Sequence, residues 1–541
     1  MADKHHILNE LMWHNKYTPN AEETEFIEER LHHLASKDNE YEKEIAKLRE
    51  GQALIQKEIF QKRALLAPIR RIPAEILSEI FIAAVPTDWS DMPLGTRCLN
   101  IVDVCCYWRA LAHRTADLWK TFHLHARDTM RRSVDWERKA LAEIERSGES
   151  LHLDINLFED THVQRAFLIN HGLRSRKQPP AWNTAVWDAA CARSHFWETA
   201  SLKFLPAAVL SSPLKPPLPL PRLRTLALGL DNGMHPCVAH MEYFQDAPNV
   251  KNFELDLHSP LNRTMVFPSS WALETLSIVF DSVHGFVLNV DTCVQAVLRC
   301  APTLRSLRLS GSGWGLWYLS DDDNVTFSFL QDLHLENAAI HLCRLISAPT
   351  LQNVKLVGNA RFDEGLWASG VDEHTALARM VAQSGGCKSM RSLQLCKMAA
   401  ANPLAFREVF RALPSLESLR LENAPYPDNG DQFEPPRDIN VEVMTVLTRV
   451  DPESMQFLPI LSDLQLDFVD ADELQYDDHL WAMISIMWSS RMTVKPWMDG
   501  AVSRWSLLKK VSTNFDEALG YPFAPAESEE DANEQFDTLD V

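Results

Sequence analysis

The sequence predicts an α/β protein built from three kinds of segment: a long N-terminal helix of coiled-coil character, a small all-α block, and an irregular solenoid of alternating strands and helices. Three observations predict it. Apolar residues recur every 3.5 positions through a proline-free stretch from Glu22 to Leu66. A compact apolar stretch of helical character follows, from Pro68 to Leu124. The phrase apolar-x-x-apolar-x-apolar then returns nine times between Leu223 and Leu466.

Composition bounds the function. At ~100–200 residues per domain, 541 residues imply about three to five folding units. With 46% apolar and 23% charged residues, the chain has the balance of a soluble globular protein. Its 74 acids exceed its 53 Lys and Arg by 21, which argues against a general grip on nucleic-acid phosphates or anionic lipid. No apolar run reaches the ~18 residues a spanning helix needs, and Met1 to Trp13 lacks a signal-peptide core. The ten cysteines include no CxxC pair. They read as reduced thiols that pack as small apolar groups in a cytoplasmic or nuclear protein.

The first segment is an arm over residues 1–67. Positions 27, 31, 34, 38, 41, 45, 48, 52, 55, 59, 62 and 66 read Ile, Leu, Leu, Asp, Tyr, Ile, Leu, Gln, Ile, Ile, Lys, Leu, so nine of twelve are apolar. Such a period keeps one stripe facing a partner helix as the pair supercoils. Asp38 and Gln52 weaken that seam but can fix its register. The pattern suits either a homodimer through the coil or one long helix packed on its own protein, and Pro68 ends it.

Residues 126–220 read as a connector of helical and extended character. They contain a helix pattern from Met130 to Ser147, a strand-like Leu151 to Ile155, and a proline-rich stretch that stiffens the chain up to Pro221. The nine phrases begin at Leu223, Val250, Leu273, Leu304, Leu330, Leu351, Met390, Leu416 and Leu461, in steps of 21 to 45 residues. Helical patterns lie between several of them, at Thr292 to Cys300, Thr375 to Gln383 and Pro403 to Leu413, and another follows the last, at Asp478 to Trp488. Strand then helix, repeated, predicts a leucine-rich-repeat solenoid over 221–515, with strands on its concave face. The third and fifth positions of each phrase then point away from the core. They are polar, mixed in sign and poor in aromatics, which suits an unidentified protein target better than an apolar small molecule. Arg308, His334, Lys355, Gln394, Arg420 and Gln465 are the candidate target-binding residues. The tail, 516–541, carries seven acids and no Lys or Arg after Gly520, a composition that predicts disorder.

Residues 68–125 point to a partner. Ile72-Pro73-Ala-Glu75-Ile76-Leu77-Ser-Glu-Ile80-Phe81 opens a helix with proline before its first turn and Glu close behind. Val104-Cys105-Cys106-Tyr107-Trp108-Arg109 and then Leu118-Trp119 follow. Over about 55 residues this ordered set resembles an F-box as found in fungal F-box proteins: a Leu-Pro-x-Glu-Ile-Leu helix, a Val-Cys-x-x-Trp-Arg helix and a Leu-Trp ending. Ile72 replaces the usual Leu, and Cys106 and Tyr107 stand where a basic residue is common. With the repeats behind it, the chain resembles an F-box and leucine-rich-repeat protein. The resemblance implies docking to a Skp-type adaptor and membership of a cullin–RING ubiquitin ligase. The implied contact residues are Ile72, Pro73, Glu75, Ile76, Leu77, Ile80 and Phe81, with Val104, Cys105 and Trp108 shared between core and interface. A helical block this small gains stability when a partner covers its outer stripe.

No catalytic or cofactor chemistry emerges. Gly311-Ser-Gly313-Trp-Gly315-Leu316 has Leu where a dinucleotide fingerprint needs Gly. Asp321-Asp322-Asp323 lacks the closing Glu of a calcium loop, and His5-His6 and His32-His33 have no third ligand. The expected role is a non-enzymatic substrate receptor. The alternative is a coiled-coil and repeat scaffold outside any ligase, its helical block serving only as a cap.

Overall fold

The computed structural model describes residues 18–85, 99–125, 135–156, 184–203, 219–230, 241, 243–257, 265–280, 291–310, 324–358, 373–398, 403–423, 439–450, 454–468, 478–492 and 508–513. The proline-rich stretch before 219, the glycine loop at 311–316, Asp321 to Asp323, His5-His6 and the acidic tail lie outside them. The chain forms two compact units, Met1–Ala83 and Ala84–Val541.

In the first unit, α1 (Ala21–Leu66) is a single helix of 46 residues. Asn20 starts it with a capping box: its side chain accepts from the Glu23 amide at 2.9 Å, and the Glu23 carboxylate accepts from the Asn20 amide at 3.0 Å. Leu66 is the last helical residue, and Pro68 opens a 3-10 turn over Pro68–Arg71. No residue of α1 is buried. α2 (Ala74–Ala84) follows.

The second unit is organised by one parallel sheet of thirteen strands whose order follows the chain. β1 (Thr121–His125), β2 (Leu151–Asn156) and β3 (Trp197–Lys203) precede the nine phrases. The phrases then form β4 (Thr225–Leu230), β5 (Asn252–Leu257), β6 (Thr275–Phe280), β7 (Ser306–Ser310), β9 (Asp332–Glu336), β11 (Asn353–Val357), β12 (Ser392–Cys396), β13 (Ser418–Glu422) and β14 (Asp463–Asp467). β15 (Lys510–Thr513) closes the row, and β8 (Val325–Thr326) pairs separately with β10 (Ile346–Ser347).

The registers explain why the sheet holds. In each phrase the fourth and sixth residues stack on their counterparts one strand away, as Leu307 and Leu309 do on Leu333 and Leu335. These two ladders run upstream through Ala200 and Leu202 to Phe122 and Leu124, all at most 2% exposed. Each fully buried Leu contributes ~1.5–3 kcal/mol. Helices cover this apolar face, including α8 (Glu373–Gln383) and α9 (Pro403–Arg411), and Leu377, Phe406 and Phe410 join the same core.

This architecture corrects the expected leucine-rich-repeat solenoid over 221–515. A central parallel sheet is found instead, and it begins a hundred residues earlier than expected, at Thr121. The end of the block expected to be all-α is therefore strand β1, and the expected connector supplies β2 and β3. The backing is also irregular: among the described residues a helix follows β6, whereas β9 leads into a long 3-10 segment, Asn337–Arg344. The physical reason lies in the phrase itself. Any parallel strand buried on one face reads as apolar at alternate positions, whatever covers that face. The phrase thus marks strands without fixing a repeat.

A close approach on the polar face allows a contact that skips a strand. Gly229 on β4 pairs with Lys203 on one side and Asp256 on the other. A Cβ at Gly229 would lie 3.0 Å from Lys203 Cα, so only glycine leaves room for the lysine side chain. Lys203 Nζ crosses β4 to reach Asp256 at 2.7 Å, with Glu254 at 3.5 Å. Burial alone would lower the lysine pKa, but the hydrogen bond and charge of Asp256, with Glu254 behind, raise it overall. Gly229→Val is expected to lower stability by ~1–3 kcal/mol through overpacking. The urea midpoint measures the loss. Lys203 stabilises the fold below pH ~10.4, and this contribution fades as the pH rises through its elevated folded value. A Lys203→Met variant is expected to lack that alkaline loss.

Candidate interaction surfaces

The helical stretch carries one candidate surface. Pro73 precedes α2, and its carbonyl accepts from the Leu77 amide at 3.0 Å. The helix sends apolar side chains to two different edges. Leu77 and Phe81, four apart, are 0% and 1% exposed, whereas Ile76 and Ile80, also four apart, are 54% and 41% exposed. Pro73 and Glu75 are exposed as well, and Ile72 is half-buried. At 100° per residue, positions 73, 76 and 80 share one face while 77 and 81 share another.

In the second unit, α3 (Leu99–Val102) leads to α4 (Cys106–Arg114). Cys105 caps α4, its Sγ accepting from the Trp108 amide at 3.4 Å. Arg109 Nε donates to the Val102 carbonyl at 2.9 Å and ties α3 to α4. Trp119 Nε1 donates to the Ala112 carbonyl at 2.8 Å, and Leu118 is buried. The Val-Cys-x-x-Trp-Arg and Leu-Trp pieces are thus locked together. Val104 is exposed, and Cys105 and Trp108 are half-buried.

The second candidate surface is the polar face of the sheet. The six residues proposed from the phrase form one continuous row across it. Arg308 pairs with His334, His334 with Lys355, Lys355 with Gln394, Gln394 with Arg420, and Arg420 with Gln465. Neighbours in such a row stand about 4.8 Å apart. The row divides by electrostatics. Arg420 Nε donates to Asp467 Oδ2 at 2.7 Å and its Nη2 to Glu422 Oε2 at 3.1 Å. Gln465 Nε2 also donates to Asp467, at 2.9 Å, and Lys397 lies 3.3 Å from Glu422. Burial alone would lower the Arg420 pKa, yet the Asp467 charge raises it overall, so this cation is spent within the sheet. His334 Nε2 lies 3.0 Å from Glu336. Arg308 is exposed, and its Nε donates to Ser310 Oγ at 3.2 Å. Among the described residues, neither Arg308 nor Lys355 enters an ion pair.

Sequence reasoning missed Asp256, Glu336, Glu422 and Asp467, the carboxylates that lie against Lys203, His334 and Arg420. They occupy the seventh position of their phrases, one strand step beyond the positions read as outward. An acid recurring there was the available signal.

Eight described cysteines are free, and six of these are buried. Burial pushes the Cys300 thiol up to about 12 and Cys387 to about 11, which suppresses the thiolate that reacts. Among the described residues no three His, Cys, Asp or Glu side chains group as metal ligands, and no helix is long and apolar enough to cross a membrane. No protein-family model matches the chain, and no curated protein matches its sequence.

Proposed function

We propose that the chain is a non-catalytic substrate-recognition subunit of a Skp–cullin–F-box ubiquitin ligase, located in the cytoplasm or nucleus. Pro73, Ile76 and Ile80 dock the adaptor. The row through Arg308, His334 and Lys355 receives acidic positions of a protein target. The mechanism is proximity: a held target presents its lysines to a charged conjugating enzyme at high effective concentration. One observation carries the reading. α2 keeps Ile76 and Ile80 in solvent at 54% and 41% exposure although Leu77 and Phe81 already give it a buried edge. The part of these side chains left in solvent contributes little to the fold of the isolated chain, and it suits an interface.

Co-purification with a Skp-type adaptor tests the reading. Truncating an interface anchor costs ~2–4 kcal/mol of binding. Ile76→Asp with Ile80→Asp is therefore expected to reduce adaptor recovery by more than tenfold while leaving the circular dichroism unchanged. Leu77→Ala is the wrong probe, because a buried Leu costs ~2–5 kcal/mol of stability whether or not anything docks. Arg308→Ala with Lys355→Ala is expected to leave adaptor recovery intact. Undiminished recovery with the Ile76/Ile80 variant overturns the docking assignment and leaves the scaffold reading, which the unburied α1 favours.

A further inference from the structure

We infer that α1 is one half of an antiparallel homodimeric coiled coil, its occupant a second copy of this chain. The inference does not rest on adaptor docking. None of the 46 residues of α1 is buried, and its seam stands in solvent, with Leu31 60%, Leu48 67% and Ile55 62% exposed. A helix that leaves a 3.5-period stripe uncovered along roughly 60 Å is stable when a helix of matching period covers it.

The polar residues on the seam choose the partner and its direction. In a parallel pair each seam residue faces itself. Asp38 would then meet Asp38, and Lys62 would meet Lys62, like charges opposed inside an apolar seam. In an antiparallel pair centred between residues 46 and 47, every layer joins positions whose numbers sum to 93. Asp38 then faces Ile55 of the second copy, Lys62 faces Leu31, and the polar Gln52 faces the Tyr41 ring. The Lys62 charge is already met within its own helix, since Nζ lies 3.4 Å from Glu58 Oε1, so its stem is free to lie across Leu31.

The flanking charges agree with this register. Lys37 faces Glu58, Glu42 faces Arg49, and Glu28 faces Arg63, each occurring twice by symmetry, and no like-charged pair flanks the seam. A parallel register also finds opposite charges at its flanks, so the seam residues decide the direction. One consequence follows for the dimer. The Leu66 ends of the two helices, and hence the two Pro73 to Phe81 segments, emerge at opposite ends of the rod.

Sedimentation equilibrium and cross-linking of the full chain test this. The expected mass is twice 61.6 kDa, and Leu34→Asp with Ile59→Asp, which share a layer, is expected to return the chain to monomer. Because α1 buries nothing in its own unit, these substitutions leave the rest of the fold intact. Direction is read by mild oxidation. The double variant Leu31→Cys/Lys62→Cys is expected to form a covalent dimer above the wild-type background, and neither single variant is. A monomeric wild-type chain overturns the inference. Covalent dimer from Leu31→Cys alone replaces the antiparallel arrangement with a parallel one.

Discussion

Arg491→Ala is expected to be among the most destabilising single substitutions in the chain, at about 3–5 kcal/mol. Arg491 lies on α11 (Asp478–Met492) and is 1% exposed. Its guanidinium donates to three carbonyls: Leu447 at 2.5 Å, and Leu458 and Phe457 at 3.2 Å each. Arg449, 2% exposed, reaches the next carbonyl, Pro459, at 3.0 Å, and its amide donates to Ser490 Oγ. The two arginines thus fasten residues 457–459 to α11. That segment needs fastening, because Leu458 sits at φ 46°, a left-handed backbone that a bulky residue adopts at a cost of ~1–3 kcal/mol.

Burial pushes the Arg491 pKa down to about 9, and the nearby Arg449 charge adds to the shift. The group stays protonated at neutral pH and is held by carbonyl dipoles. Alanine takes a donor away from three carbonyls, of which Leu458 keeps the Leu461 amide at 3.3 Å, and opens a cavity. Arg491→Met fills most of the volume and is expected to lose about 2–4 kcal/mol, which isolates the hydrogen-bond share. Arg491→Lys also falls short, since one ammonium cannot reproduce a planar fork aimed at three oxygens. Urea midpoints of the three variants, with proteolysis near Phe457 as a local probe, measure the effect. A Met variant as stable as the parent would refute the brace.

The strands were legible in the sequence because burial on one face imposes a period of two, and Leu307-x-Leu309 or Leu419-x-Leu421 shows it directly. All nine phrases are strands, and their third and fifth positions align into two rows across the sheet. The expected long helix is present, because Glu22 to Leu66 contains nothing that breaks one. The extent of the sheet was not legible. β1 and β3 read Thr-Phe-His-Leu-His and Trp-Glu-Thr-Ala-Ser-Leu-Lys; β1 offers only two apolar positions, and β3 carries its alternation partly on Ala and breaks it at Glu198, where its register with β2 shifts. Only pairing with Leu153, Leu226 and Leu228 reveals them as core strands. The division of α2 into a buried edge at Leu77 and Phe81 and an exposed one at Ile76 and Ile80 was equally hidden. Four apolar residues within six positions span both edges, and periodicity alone does not say which edge the chain covers itself.

The corrected fold gives a sharper expectation about where the chain can be cut. Residues 221–541, which hold the expected solenoid (221–515) and its tail, are expected to form an insoluble fragment, whereas residues 84–541 remain soluble and unfold cooperatively. Cutting at 221 removes β1 to β3 and exposes the edge of β4, whose Leu226 and Leu228 pair with Ala200 and Leu202 in the intact sheet. The cut also takes away Trp197, the largest wholly buried side chain among the described residues, which donates to the Ala190 carbonyl at 3.0 Å and packs edge-on against Trp187. An apolar parallel edge with its cover gone is a template for pairing with other chains. Truncating a buried Trp alone costs ~3–5 kcal/mol, a large share of the ~5–15 kcal/mol that holds a typical domain. Full-length Trp197→Ala is therefore expected to lower the thermal midpoint sharply while leaving adaptor recovery at low temperature unchanged. Size-exclusion chromatography of the two fragments decides the matter. A monomeric, cooperatively folded 221–541 would mean that β1 to β3 are an appendage and that the strands from β4 onward hold a core of their own.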